Sequence, residues 1–130
     1  MSYSGASGGA TDAVLRVGNG TVDPSTNYSQ RTAVNGASDV TSTGQTSWYN
    51  AHCWAGDSGV DLWHHTNIFI INVANRDKLA IGTCNRSNDG ASNANWRVEC
   101  TSKWDNATDQ INRIELTGAG GDGKYADGST

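Results

Sequence analysis

This chain of 130 residues lacks clusters of basic residues, long apolar runs and a leader-like start. Its nine lysines and arginines are scattered singly and its net charge is −4, so a surface for binding phosphate backbones lacks an electrostatic basis. No apolar run approaches the length of a membrane span. The first five residues have neither the basic nor the apolar region of a signal peptide. We therefore expect a cytoplasmic protein that inserts into no membrane and binds no nucleic acid.

Cysteine is scarce as well, with only Cys53, Cys84 and Cys100. An odd number leaves one thiol unpaired whatever bonds form. If Cys84 and Cys100 lie on two strands of a hairpin whose loop centres on Gly90, they are four residues out of register. At about 3.3 Å per residue, that offset is too long for a disulfide. We expect reduced, structural thiols.

Apolar residues make up 35 % of the chain, but five Trp and four Tyr carry large areas that can be buried. The length fits one core, so residues 1–130 are predicted to form one domain. Sixteen glycines, against the single Pro24, indicate many tight turns. The Gly-rich ends, 1–9 and 118–130, are expected to be loose.

Alternation of apolar and polar residues predicts about five strands, paired mostly antiparallel because the connections are short. The predicted strands are Ala13–Val17, Ile68–Ala74, Leu79–Thr83, Trp96–Thr101 and Ile111–Thr117. The strand Ile68–Ala74 has apolar residues at both odd and even positions, which predicts that it is buried on both faces.

Two segments begin and end with residues typical of helix termini. Pro24–Asn35 follows a candidate N-cap, Asp23, and precedes Gly36, which can take the left-handed position that ends a helix. Ser47–Ala55 lies between Thr46 and Gly56, with apolar residues at helical spacing. Helices covering a small antiparallel sheet make the predicted fold an α+β, single-domain αβα sandwich.

Residues 48–65 hold every histidine and three of the five tryptophans. Indole faces stack on the C–H patches of sugar rings, and carboxylates, amides and imidazoles satisfy sugar hydroxyls. On a helix, Trp48 and His52 belong to the buried stripe, whereas Trp54 faces solvent and contacts either a ligand or a second protomer. The candidate glycan-binding residues of this stretch and of the Asn-rich loop 85–95 are Asn50, Trp54, Asp57, Asp61, Trp63, His64, His65, Asn93 and Asn95.

Other chemistries fit less well. The adjacent His64 and His65 would point apart on a strand, and the spacings of the remaining candidate ligands match no usual metal site. No serine elbow, P-loop or cysteine-protease signature is present. Arg97 and Glu99 share one strand face and, with a histidine, could serve an acid–base nuclease. We expect instead that these residues form a cross-strand ion pair on the wet side of a sheet, where isolated carboxylate and guanidinium pairs are common.

The length, the missing leader and the segments 48–54, 67–73 and 110–116 resemble the small fruiting-body lectins of inky-cap mushrooms. The resemblance implies an αβα sandwich whose protomers pair through a sheet edge as a homodimer. It also implies binding of fucosylated LacdiNAc and a defensive, cytotoxic role in the fungus.

The predicted function is therefore glycan binding without catalysis, cofactor or metal. Its partners would be glycans on glycoproteins or cell surfaces. A cytoplasmic protein would meet them after its release from damaged tissue. A small acid–base ribonuclease or other hydrolase, and a protein-binding antiviral inhibitor, remain as alternatives.

Overall fold

The computed structural model describes residues 2–3, 12–49, 64–87 and 94–119. All regular structure in these residues is β-strand, and they contain no helix that could span a membrane. In chain order the strands are β1 Ser2–Tyr3, β2 Asp12–Asn19, β3 Thr21–Val22, β4 Tyr28–Val34, β5 Val40–Gln45, β6 His64–Ile71, β7 Lys78–Arg86, β8 Trp96–Trp104 and β9 Arg113–Ala119. The predicted αβα sandwich is wrong, since the described chain is all-β.

The strands form two antiparallel sheets. The large sheet has the order β1-β6-β7-β8-β4-β5, and the small sheet has the order β3-β2-β9. Because β1 and β3 are two residues long, the architecture is essentially five strands against two. Each predicted strand overlaps an observed one, namely β2, β6, β7, β8 and β9, although residues 72–74 and 111–112 lie outside the observed strands. β4 and β5 were not predicted as strands, whereas the predicted antiparallel pairing is confirmed.

The hydrophobic core lies between the two sheets. Leu15 and Val17 of the small sheet meet residues from the inner face of the large sheet, and the cluster is completed by Tyr28, Trp48, Ala80 and Trp104. Indole and phenol rings of this kind each bury about 150–250 Å². Three aromatic rings therefore supply much of the buried area in a chain with few aliphatic residues.

Trp48 was expected to pack in the core, and it does so with no exposed surface. It is held by an isolated antiparallel bridge and not by a helix. Its N–H donates to the Leu15 carbonyl, the Leu15 N–H donates to the Trp48 carbonyl at 2.8 Å, and the indole N–H donates to the Lys103 carbonyl at 2.9 Å. The predicted helix Ser47–Ala55 is wrong at this point, while residues 50–55 lie outside the described part.

The predicted helix Pro24–Asn35 is also wrong, because most of it is β4. Asn35 and Gly36 both have positive φ, 51° and 79°, and the Ala37 N–H donates to the Val34 carbonyl at 2.9 Å. Two successive left-handed residues are the geometry of a tight hairpin turn, for which Asn-Gly is the preferred pair. Gly36 is left-handed as expected, but it turns β4 into β5 and does not end a helix.

The thiols differ from the expectation in one respect. Cys100 is a free buried thiol, and burial raises its pKa to about 12 although its Sγ contacts the Gly82 carbonyl. Cys84 lies opposite Val98 and is disulfide-bonded, so the prediction of reduced thiols is wrong for Cys84. The expected lack of a bond between Cys84 and Cys100 is confirmed, since Cys100 is free. Cys53, the only other cysteine in the sequence, lies outside the described residues.

Candidate binding face

The face of the large sheet that points away from the small sheet is called the outer face. Along β7, side chains of the inner face are buried and those of the outer face are exposed. The antiparallel register extends this alternation across the sheet. The outer face carries His65, Asn67, Phe69 and Ile71 of β6, Leu79, Ile81, Thr83 and Asn85 of β7, Arg97, Glu99, Thr101 and Lys103 of β8, and Ser29, Arg31 and Ala33 of β4.

Four large apolar side chains form a platform on this face. Phe69 lies opposite Ile81, and Ile71 lies opposite Leu79. Their exposed fractions are 70 %, 55 %, 43 % and 47 % respectively. A single exposed leucine is ordinary on a protein surface, whereas a contiguous exposed apolar cluster is typical of binding surfaces and makes this face the candidate site. The prediction that the strand beginning at Ile68 is buried on both faces is wrong at Phe69.

Two open depressions adjoin the platform. The large depression, of about 470 Å³, is lined on the outer face by Ser29, Arg31, Thr41, Thr43, Ile71, Leu79, Ile81, Thr101 and Lys103. The small depression, of about 240 Å³, is lined by Arg31, Ala33, Asp39, Ile81, Thr83, Glu99 and Thr101. They share Arg31, Ile81 and Thr101, so they form one continuous trough across the strands.

One row of cross-strand neighbours runs through this trough. From β5 to β6 the row reads Thr41, Arg31, Thr101, Ile81 and Phe69. The Arg31 guanidinium therefore lies between two threonines, and the row continues with the aliphatic Ile81 and the aromatic Phe69. With strands about 4.8 Å apart, the polar and apolar parts of the row are within reach of one small ligand.

The other charged groups of the face are balanced locally. Arg97 and Glu99 are half-exposed, with N and O atoms 3.9 Å apart. Lys103 Nζ lies 3.5 Å from Asp77 and 3.7 Å from Asp105. An ion pair on the wet side was expected and is present, but it joins two residues of β8 and is not the cross-strand pair that was predicted. Exposed pairs of this kind contribute about 0–1 kcal/mol to stability.

The structure places only part of the predicted site. His65 is exposed on the outer face, opposite Asn85, and Asn95 is exposed just before β8. For His64 only the backbone, in β6, is described. The rest of the predicted site lies outside the described residues: Asn50, Trp54, Asp57, Asp61, Trp63 and Asn93.

The apolar platform and Arg31 were not among the predicted site residues. The alternation of large and small side chains along β7 separates the two faces of this strand, but only the position of the core shows which face is covered. Ala80 belongs to the core cluster with Trp48 and Trp104, so the small residue packs inward beside bulky rings. Leu79 and Ile81, one position away on either side, then have to point outward.

A second polar cluster lies in the loops beyond the strands and is satisfied internally. The Asp109 carboxylate accepts hydrogen bonds from the Asn106 amide at 3.0 Å and the Asn19 amide at 3.3 Å. These bonds hold the pKa of Asp109 below its ordinary value. The Asn112 side-chain carbonyl also accepts from the Gly20 N–H at 2.7 Å. The cluster fixes the connections at this end of the sandwich.

Among the residues that the structure describes, no group of three or more His, Cys, Asp or Glu side chains is placed to hold a metal ion. No protein-family model matches the chain, and no curated protein and no solved structure matches it either. The function therefore has to be argued from the outer face itself.

Proposed function

We propose that the protein is a carbohydrate-binding lectin and that the outer face of the large sheet is its binding surface. The observation that carries this proposal is the exposed apolar platform beside a trough lined with hydroxyls and charged groups. A pyranose ring has the matching surface, since its C–H groups pack on apolar side chains while its rim of hydroxyls needs donors and acceptors.

The shape of the trough supports binding of an extended saccharide. Its two depressions, of about 470 Å³ and 240 Å³, are joined at Arg31 and Ile81. Both volumes belong to the range of small-molecule sites or lie just below it, and the two are open along one side. An oligosaccharide could lie across the strands with one ring in each depression and its remaining units in solvent.

The chemistry of the walls supports recognition of hydroxyl groups. Thr41, Thr83 and Thr101 offer hydroxyls that donate and accept, while Asp39 and Glu99 accept only. Each exchange of a water for a protein partner has a small net gain, so one site is expected to bind a small sugar weakly. Two sites in a homodimer would raise the avidity.

The expected homodimer through a sheet edge stays part of the proposal. The edges of the large sheet are β1, which has two residues, and β5, which has six. β5 is therefore the edge with more backbone available for pairing.

The disulfide at Cys84 favours an oxidising environment over the cytoplasm, because cytoplasmic thiols are kept reduced.

The proposal is tested by a matched pair of substitutions. Ile81 and Ile114 are 55 % and 56 % exposed, but Ile81 lines both depressions and Ile114 belongs to the small sheet. Ile81→Ala removes apolar contact worth about 1 kcal/mol, which should weaken saccharide binding roughly fivefold. Ile114→Ala should leave binding unchanged.

The ligand for this comparison comes from a glycan array, run with and without EDTA, that includes fucosylated LacdiNAc. Binding of that branched glycan, unaffected by EDTA, would support the specificity that the sequence resemblance implies. Equal loss of binding in the two isoleucine variants would argue against the outer face. A blank array with folded protein would argue against a lectin altogether.

A nuclease is the second candidate, and one observation favours it. His65, Asn85 and Arg97 are successive cross-strand neighbours, and Glu99 lies beside Arg97 on the same face. An imidazole, a carboxylate and a guanidinium on one open sheet face could support acid–base cleavage of a phosphodiester. Turnover of RNA that is abolished by Glu99→Gln would establish this activity, and absence of turnover by pure protein would exclude it.

A further inference from the structure

We infer that the saccharide bound by the outer face carries a carboxylate, and that Arg31 binds it. The inference rests on the proposed function and names the chemical class of its ligand, which differs from the neutral fucosylated LacdiNAc that the sequence resemblance implies. It starts from the distribution of charge in the trough.

The two charged side chains that line the large depression are Arg31 and Lys103, both cationic, in a chain whose net charge is −4. Lys103 is already flanked by two carboxylates, those of Asp77 and Asp105. In the described part of the chain, Arg31 has neither an ion pair nor a side-chain hydrogen bond. Its charge is therefore available to a ligand.

The neighbours of Arg31 suit a carboxylate. Thr41 and Thr101 lie directly opposite it on the two adjacent strands, so a hydroxyl stands on each side of the guanidinium. The planar fork of an arginine binds both oxygens of a carboxylate, and flanking hydroxyls can donate to the remaining lone pairs. A neutral hydroxyl would use only part of this donor set.

The position of Arg31 relative to the platform fits an acidic sugar. Ile81 is two strands from Arg31 and Phe69 is three strands away, which places them roughly 10 Å and 14 Å from Arg31 at the ordinary strand spacing. A disaccharide can span that length, with its acidic group at Arg31 and the next ring on the apolar platform.

The acidic residues of the trough lie on the other side of Arg31. Asp39 and Glu99 line the small depression and not the large one, and Glu99 is paired with Arg97 at 3.9 Å. A carboxylate that approached through the small depression would meet these anions. The acidic group therefore enters from the large depression, whose described lining includes the Arg31 guanidinium and no carboxylate.

The test compares two saccharides that differ in one carboxylate, cellobiouronic acid and cellobiose, with 3′-sialyllactose and its neutral carboxamide as a second pair. Titration calorimetry at low salt should show the acidic member of at least one pair binding about 10-fold or more tightly. Arg31→Gln should abolish this preference, and Arg31→Lys should restore part of it. Arg113→Gln, which changes an exposed arginine of the small sheet, should preserve it.

The possible failures are distinguishable. Equal binding of acidic and neutral members by the unaltered protein would refute the carboxylate and leave the lectin proposal standing. Retention of the preference in Arg31→Gln would refute the role of Arg31. If no saccharide binds at all while the protein is folded, both the proposed function and this inference are refuted.

Discussion

The carboxylate of Asp23 should make the stability of the fold depend on pH in a defined range. It accepts hydrogen bonds from the Trp104 indole N–H at 2.8 Å, the Asn27 amide at 3.0 Å, the Ser25 N–H at 2.9 Å and the Ser25 hydroxyl. Burial raises the pKa of this carboxyl group, but the hydrogen bonds outweigh that effect. Together they lower its pKa from 3.8 to about 2.

The sign and the size of the effect follow from this shift. Because the pKa in the folded state is lower than in the unfolded state, the ionised group stabilises the fold fully above about pH 4. The stabilisation is lost as the pH falls through about 2. A gap of nearly two pKa units corresponds to roughly 2.5 kcal/mol at full strength, and solvent screening of this partly exposed group reduces it to about 1 kcal/mol.

Asp23→Asn tests this reasoning. In urea unfolding followed by tryptophan fluorescence, the variant should be less stable than the unaltered protein by about 1 kcal/mol at pH 7. The difference should shrink between pH 4 and pH 2, where the native carboxylate becomes protonated. Asp39→Asn, which changes an exposed carboxylate, is the control and should have no effect. A difference between Asp23→Asn and the unaltered protein that stays constant down to pH 2 would refute the argument.

Two further outcomes are expected from buried polar groups. The Tyr28 hydroxyl donates to the Val17 carbonyl at 2.8 Å, and burial raises the pKa of Tyr28. Tyr28→Phe should therefore lower the free energy of unfolding by about 1–2 kcal/mol in the same urea assay. An unchanged free energy of unfolding would contradict this prediction. Burial raises the pKa of the Cys100 thiol to about 12, so Cys100 should resist iodoacetamide at pH 8 in the folded protein and react in urea. Peptide mapping measures the labelling, and equal labelling of Cys100 in both states would contradict its burial.

The strands could be predicted from sequence because their signal is local. Alternation along residues 96–101 survives in β8, where Val98 and Cys100 are buried and Arg97 and Glu99 are exposed. The helices could not be predicted in the same way. Capping residues, prolines and left-handed glycines occur in turns as well as at helix ends. The Asn35-Gly36 pair, which was interpreted as a helix end, forms a hairpin turn.

The proposed binding face could not be predicted because alternation gives two faces without telling which one is covered. Phe69 and Ile70 are adjacent and both apolar, yet Phe69 is 70 % exposed while Ile70 packs against the core. The choice depends on which side of the large sheet receives Leu15 and Val17 from the small sheet. That contact is distant in sequence, and a pattern read within one strand carries no information about it.

Stability and binding are consequently assigned to opposite faces of the same strands. On β7, Lys78, Ala80 and Cys84 are buried, whereas Leu79 and Ile81 line the trough. The Lys78 ammonium lies wholly inside and donates to the Asn106 carbonyl at 3.0 Å, so its partners belong to the fold and not to a ligand. Outward positions can change without opening a cavity in the core, because they contribute little to it. The fold can therefore keep its sandwich while the residues of the outer face change.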